Sequence, residues 1–344
     1  MSAALKVLAP GLHTTVQDLG RLGYQALGVP VSGALDGLSL RLANRLAGNR
    51  ENAAALEMLY QGPTLEVEAE SARVALAGGD ATLELLGEAT LKMGGGRSLR
   101  VSRGERFRVV APSAASCCYL AVEGGIAVEP CLGSAATFTR GGFGGFEGRA
   151  LKAGDRLPLA QVSVEARAEL SLPQPLPERG DEAIRVVLGP QADHFTEAAL
   201  ALLLESEFRI SKDADRMGAR LEGARLAHRG GYDIASDGIA TGAIQVPGSG
   251  QAILLLADHQ TTGGYPKIAT VISADLPRVG RLRPGDAVRF AAIEVAEAER
   301  LRRAQEEELR ALIASFVPAA AARGLDRSRL YSANLISGAV AGDE

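Results

Sequence analysis

No apolar run in this 344-residue chain approaches the roughly 18 residues that a bilayer span requires, and the opening "MSAALKVLAPG" lacks the length and cleavage pattern of a signal peptide. Membrane insertion is not expected, and a cytoplasmic location is. Blocks of Lys and Arg are missing too. The 37 basic residues are outnumbered by 41 acidic ones, for a net charge of −4, so no footprint for nucleic acid is visible. Cysteine occurs three times, at Cys117, Cys118 and Cys131, without C-x-x-C or Cys/His ligand spacing; reduced, buried thiols are the expectation. The four histidines, His13, His194, His228 and His259, form neither H-x-H nor H-x-x-x-H, so no metal site is readable. Nucleotide and nucleophile signatures fail as well. The spacing G-x-x-x-x-G-K-[ST] is absent, "GGFGGFEG" at 141–148 puts Glu147 where a dinucleotide fingerprint needs its last glycine, and no G-x-S-x-G elbow occurs.

Short apolar or alternating runs are what the chain has in quantity. "TLEVEAESARVALAGG", "LRVSRGERFRVVAP", "CCYLAVEGGI", "IRVVLG" and "AILLLAD" recur along it between Gly, Pro and Asp, as strands of barrels or sandwiches do. Helical spacing is confined to "LDGLSLRLANRLAGN", "DHFTEAALALLLES" and a charged stretch from about Glu294 to Phe316. The length and a hydrophobic content of 47% suit two cores. Pro173, Pro175 and Pro177 alternate in "ELSLPQPLPERGDEA", which favours an extended spacer there. The expected organisation is an N-terminal β domain over residues 1–170, a Pro-rich linker over 171–183, a second β domain over 184–292, and a helix with a loosely held tail over 293–344. Two echoes argue for duplication. "GRALKAGDRLPL" and "GRLRPGDAVRF" close the two halves, and "QDLGRLG" is answered by "DADRMGARLEG".

Three polar, glycine-rich segments are candidates for a site. Residues 14–37 hold Gln17, Asp18, Arg21, Ser32 and Asp36; "DADRMG" holds Asp213, Asp215 and Arg216; "DHQTTGGYPK" at 258–267 holds Asp258, Gln260, Thr261, Thr262, Tyr265 and Lys267 beside Gly263 and Gly264. Glycine exposes backbone N–H groups to a ligand, and a nearby Arg or Lys can hold a carboxylate or phosphate. The competing reading is that the aspartates cap turns or pair with the arginines.

These segments, together with "ANRLAGN", "LEMLYQGPTLEV", "GAIQVPGSGQAILLLADHQTTGGYPKIATVISAD" and "LRPGDAVRF", resemble the biotin-dependent carboxyltransferase family, also called allophanate hydrolase subunit 2. The resemblance runs from about Leu5 to Phe290 in the family's order. It implies a mainly β fold of two tandem cyclophilin-like β-barrel domains with a few short helices. Stand-alone bacterial members of the family serve as the C subunit of an ATP-dependent 5-oxoprolinase, which opens 5-oxoproline to L-glutamate together with its A and B subunits. Such a chain is expected to be inactive alone, ATP being used by the complex.

Two alternatives stay open. One is a carboxyltransferase subunit that moves CO2 from carboxybiotin, with biotin on a partner protein, to urea or a related amide. The other is a binding module that antagonises a kinase inhibitor. Under the enzymatic readings Asp36, Arg216, Asp258, Gln260 and Thr262 are candidates for catalysis. Gln17, Asp18, Arg21, Ser32, Thr261, Gly263, Gly264, Tyr265 and Lys267 are candidates for binding the small-molecule substrate. No biotinyl-acceptor A-M-K-M and no ATP-grasp region occurs in this chain, so no cofactor is assigned to it directly. Prolyl isomerase activity is rejected, because the catalytic arginine with its aromatic floor is not recognisable and tryptophan is absent.

Overall fold

The structure is a computed structural model describing residues 3–174 and 182–319, so Pro175, Pro177 and the tail from residue 320 lie outside the described residues. Alternation builds the core of the first half. Every residue of the strand Ser71–Ala77 is buried: Ala72, Val74 and Leu76 face one apolar cluster, Ala75 and Ala77 another. Strand Cys117–Val122 divides the same way, with Cys118, Leu120 and Val122 on one side and Cys117, Tyr119 and Ala121 on the other. A period of two with both faces apolar belongs to interior strands. The two accordingly pair antiparallel in the middle of a seven-stranded sheet.

A six-stranded sheet built on Ala4–Ala9 and Thr64–Val67 covers the first cluster and contributes Leu5, Val7, Leu65 and Phe107 to it. Helix α1 (Gly37–Ala47) covers the second, laying Leu40, Ala43 and Leu46 over Ala75, Ala77 and Ala121. Alanine on the sheet lets the helix backbone approach closely. Asp36 caps α1 by accepting from the N–H groups of Leu38 and Ser39, and Gly48 at φ 93° ends it.

In the second half, eight strands form one antiparallel sheet with a single parallel pair, Ile184–Leu188 beside Phe290–Ala292, among the described strands. Its edge strands, Ala287–Val288 and Phe290–Ala292, are separated by Arg289 alone, so the sheet nearly closes on itself. Val186, Phe195, Phe208, Ile244, Leu254 and Phe290 fill it. Helix α2 (Glu197–Glu205) packs on it through Ala199 and Leu203. Helix α3 (Leu276–Gly280) lies at the boundary with the first half, where a Cβ on Gly280 would stand 2.2 Å from the Leu35 carbonyl oxygen. Helix α4 (Val295–Ala314) then runs back to the first half. There Arg41 of α1 holds both oxygens of Glu306 at 2.8 and 2.7 Å, and Leu309, Leu312 and Phe316 join the cluster under α1. Strand Val317–Pro318 pairs with Leu170–Ser171 at the edge of the seven-stranded sheet. The architecture is mainly β, as the sequence implied. Among the described residues no helix is long and apolar enough to cross a membrane.

The closing echoes occupy equivalent turns. Asp155 accepts from Lys152 N–H at 2.7 Å while Gly154 donates to Val7; Asp286 accepts from Arg283 N–H at 2.6 Å while Gly285 donates to Ile210. Cys117 and Cys118 are buried and free, whereas Cys131 is only half-buried because it sits in a surface turn bridged to Ser134.

Candidate functional site

Three knots of polar side chains contain residues singled out from the sequence; the first two bridge the halves and the third lies within the second half. The first centres on Arg216, which enters from the turn before strand Gly218–Glu222. Its Nε and Nη2 donate to Asp258 at 2.8 and 3.1 Å, Nη2 donates to the Gly33 carbonyl at 2.6 Å, and Nη1 donates to Glu57. Glu57 is fully buried in strand Ala55–Leu59 and also accepts from Tyr119 Oη at 2.6 Å and Leu35 N–H at 2.9 Å. Burial alone would lower the Arg216 pKa, but Glu57 and Asp258 outweigh it and raise the value above the ordinary one. Burial, then Cys117 and Glu57, raise the Tyr119 phenol far above its usual range, so it remains a donor to Glu57. Nearby His13 has its pKa lowered by burial and by Arg216. Four hydrogen bonds to protein atoms leave this guanidinium little capacity for a ligand.

A second knot lies in the segment from Gln17 to Asp36. Asp18 accepts from Gly20 N–H, Ser134 Oγ and Ala135 N–H, and Asp36 is engaged as the cap of α1. Arg21 donates to the carbonyls of Ala136 and Cys131 and stands 4.9 Å from the centre of the Phe143 ring. Burial lowers its pKa. Ser32, in the left-handed region at φ 54°, donates its N–H to Ala257, which seats this loop on the start of the 258–267 segment. Three buried atoms remain without a hydrogen-bond partner: Gln17 Oε1, Arg21 Nη1 and Ser32 Oγ.

The third knot is built by the 258–267 segment itself. Lys267 is 2% exposed, and its Nζ reaches Asp237 at 2.9 Å. Gln191 also donates to Asp237, at 3.1 Å, and Lys267 together with Gln191 lowers the Asp237 pKa. Gln260, exposed, donates to Gln245 at 3.1 Å, while Gln245 Nε2 is buried without a partner. A Cβ on Gly263 would stand 2.7 Å from that nitrogen, so a larger residue there would push the Gln245 carboxamide aside. Thr262–Gly263 pairs with Asp237–Gly238, and Thr261 accepts from Ile239 N–H. Thr262 and Tyr265 are exposed and Gly264 half-buried beside them. His259 lies between the first and third knots, within 3.1 Å of Thr241 Oγ1, its pKa lowered by burial. The segment thus carries one ammonium, paired with Asp237, and one carboxamide, Gln260, whose amide nitrogen is engaged by Gln245.

The structure therefore groups Arg216 with Asp258, groups Gln17, Asp18 and Arg21 around another loop, and groups Gln260 through Lys267 at a third place. Glu57, Tyr119, Gln245 and Asp237 were missed from the sequence. A lone carboxylate inside the apolar run "AAALEMLY" was the signal available for Glu57. Among the described residues no three His, Cys, Asp or Glu side chains stand close enough together to hold a metal ion.

Residues 27–292 match the family described as carboxyltransferase domain, subdomain A and B. The chain belongs to this family. It is 37% identical over 302 residues to the C subunit of the 5-oxoprolinase of Escherichia coli K12, covering 88% of this chain and 95% of that one. It is 33% identical to the urea amidolyase of Lachancea kluyveri over 90% of this chain but only 18% of that much longer protein. The crystal structure of the K. lactis urea amidolyase superposes on 90% of this chain with a TM-score of 0.82 at 32% identity, and this chain spans 20% of it. The family match takes in the Arg216 and Lys267 knots and leaves out Gln17 to Arg21 and helix α4.

Proposed function

We propose that this chain is the C subunit of an ATP-dependent 5-oxoprolinase and acts with the A and B subunits to open 5-oxoproline to L-glutamate. Similarity to the E. coli protein over nearly its whole length supports the assignment. The observation that motivates the chemistry is a lysine of 2% exposure, paired with Asp237, in the same segment as the Gln260–Gln245 pair and the exposed Thr262. Ring opening adds water across the lactam C–N bond, and negative charge grows on the carbonyl oxygen as water attacks. Lys267 and Gln260 donate to that oxygen, Gln245 aligns Gln260, and Thr262 binds the ring edge. Gly263 and Gly264 admit the substrate to the backbone, with Tyr265 at the rim. Thr261 fixes the loop through its backbone. Arg216, Asp258 and Glu57 act as positioning residues that hold the 258–267 segment against the first half. Asp36, Asp18 and Ser32 hold the facing loop, while Arg21 and Gln17 keep free polar capacity next to it.

ATP is assigned to the complex and to no residue of this chain, and the complex to the cytoplasm, where ATP is supplied. A second reading, carboxyl transfer from carboxybiotin on a partner to urea or another amide, is favoured by the identity to urea amidolyase. Reconstitution with the A and B subunits tests both. Glutamate should form from 5-oxoproline with ATP only when this chain is present, and the chain alone should be inactive. Consumption of carboxybiotin without glutamate would decide for the second reading.

A further inference from the structure

The cleft between α1, α4 and the residue that follows α3 encloses about 220 Å³, several times the volume a water molecule fills. Its floor is apolar, made by Leu38, Leu42, Leu309 and Leu312. Arg281 closes one end. The backbone holds this residue in place, because Ser116 donates its N–H to the Arg281 carbonyl at 2.9 Å and its hydroxyl to the Gly280 carbonyl at 2.8 Å. The side chain is 17% exposed, yet among the described residues its guanidinium makes no hydrogen bond, and its Nε is buried without a hydrogen-bond partner. Asp36 pairs with this Nε electrostatically at 3.5 Å without a hydrogen bond, since its oxygens already take bonds from Leu38 N–H, Ser39 N–H and Ser39 Oγ, and the two terminal nitrogens of Arg281 are left for a ligand. Three other arginines, the half-buried Arg41 and the buried Arg73 and Arg216, each hydrogen-bond to carboxylates. A guanidinium presents five donors in a fork that matches a carboxylate.

We infer that this cleft is a binding site for a small carboxylate with an apolar body, its acid group on Arg281 and its hydrocarbon among the four leucines. The ligand would be gripped by both halves of the chain and by α4, some distance in sequence from the Lys267 knot, and its occupancy would stiffen their boundary. Glu308, exposed at the rim, offers a partner for an ammonium, so an apolar amino acid and a simple branched acid share the required chemistry.

Calorimetric titration of the full chain with 4-methylpentanoate, L-leucine and 4-methylpentanamide tests the inference, with Tm as a second readout. Both acids should bind saturably and raise Tm, and the uncharged amide should do neither. Tighter binding of leucine would make an amino acid the class; tighter binding of 4-methylpentanoate would make it a simple acid. Arg281→Met should weaken binding about tenfold or more. Leu312→Phe fills the cavity while keeping the guanidinium and should abolish binding with no fall in Tm. The inference fails if neither acid binds the wild-type chain, if the amide binds as well as the acids, or if both variants bind unchanged.

Discussion

Replacing Arg216 by alanine removes the one cation shared by Glu57 and Asp258, and both carboxylates are left in a boundary from which water is excluded. Breaking a buried pair in this way costs about 3–5 kcal/mol, because the surviving charge is uncompensated. Against the 5–15 kcal/mol typical of a folded protein, that is a large share of the whole, about two to four powers of ten in the folding equilibrium. Guanidinium unfolding of the isolated chain should therefore show a much lower midpoint for Arg216→Ala. Turnover per folded, assembled complex should fall far less than the stability does. The triple replacement Arg216→Met, Glu57→Gln, Asp258→Asn removes every charge of the cluster and should recover most of the loss, since neutralising a complete buried ion cluster is often close to neutral. A single variant with wild-type midpoint and lost turnover would show that Arg216 meets the ligand directly. A triple variant no more stable than the single one would show that unpaired charge is not the cause.

Lys267→Met should keep Tm or raise it, since a desolvated ammonium goes and Asp237 is half in water, while glutamate formation by the complex falls about 10- to 100-fold. Gln260→Ala removes a neutral hydrogen bond from an exposed position and should cost about 0.5–1.5 kcal/mol in the same rate assay, with an unchanged melting curve. Gly280→Ala drives a methyl group into the Leu35 carbonyl and should lower the unfolding midpoint by about 1–3 kcal/mol in stability, measurable by denaturant titration. Acidity acts through His13 and His259, whose folded pKa values lie below the ordinary 6.5. The unfolded chain then takes up protons first, so their contribution is complete above about pH 6.5 and is lost as pH falls through the lowered values. Unfolding free energy against pH should lose that slope in a His13→Gln, His259→Gln double variant. Glu306, held at about 2 by Arg41, gives a separate loss between about pH 4.5 and 2 that Glu306→Gln should erase.

Periodicity made the interior strands, the long last helix and the two Gly-Asp closing turns legible, because each depends on residues within a few positions of one another. Residues that meet across the fold were hidden. Glu57 and Arg216 are 159 positions apart, so nothing local joins them, and Lys267 reaches Asp237 over 30 positions through a strand pairing that polar, glycine-rich sequence does not announce. Asp36 shows the opposite difficulty. Its side chain is engaged by the first turn of α1, and Asp followed three places later by Ser before an apolar helix could have been taken as a start signal. Rich polar composition marked the right neighbourhood while leaving open which side chains touch one another and which face solvent.

Strand Val317–Pro318 lies beside Leu170–Ser171 although the whole nearly closed sheet of the second half intervenes between them in sequence. The second half is thus spliced into the first between the edge strand and its neighbour. During synthesis the N-terminal sheet must wait, its border unpaired, until residue 318 has left the ribosome. Truncation before that point would leave both halves translated and the border open to pairing with another copy.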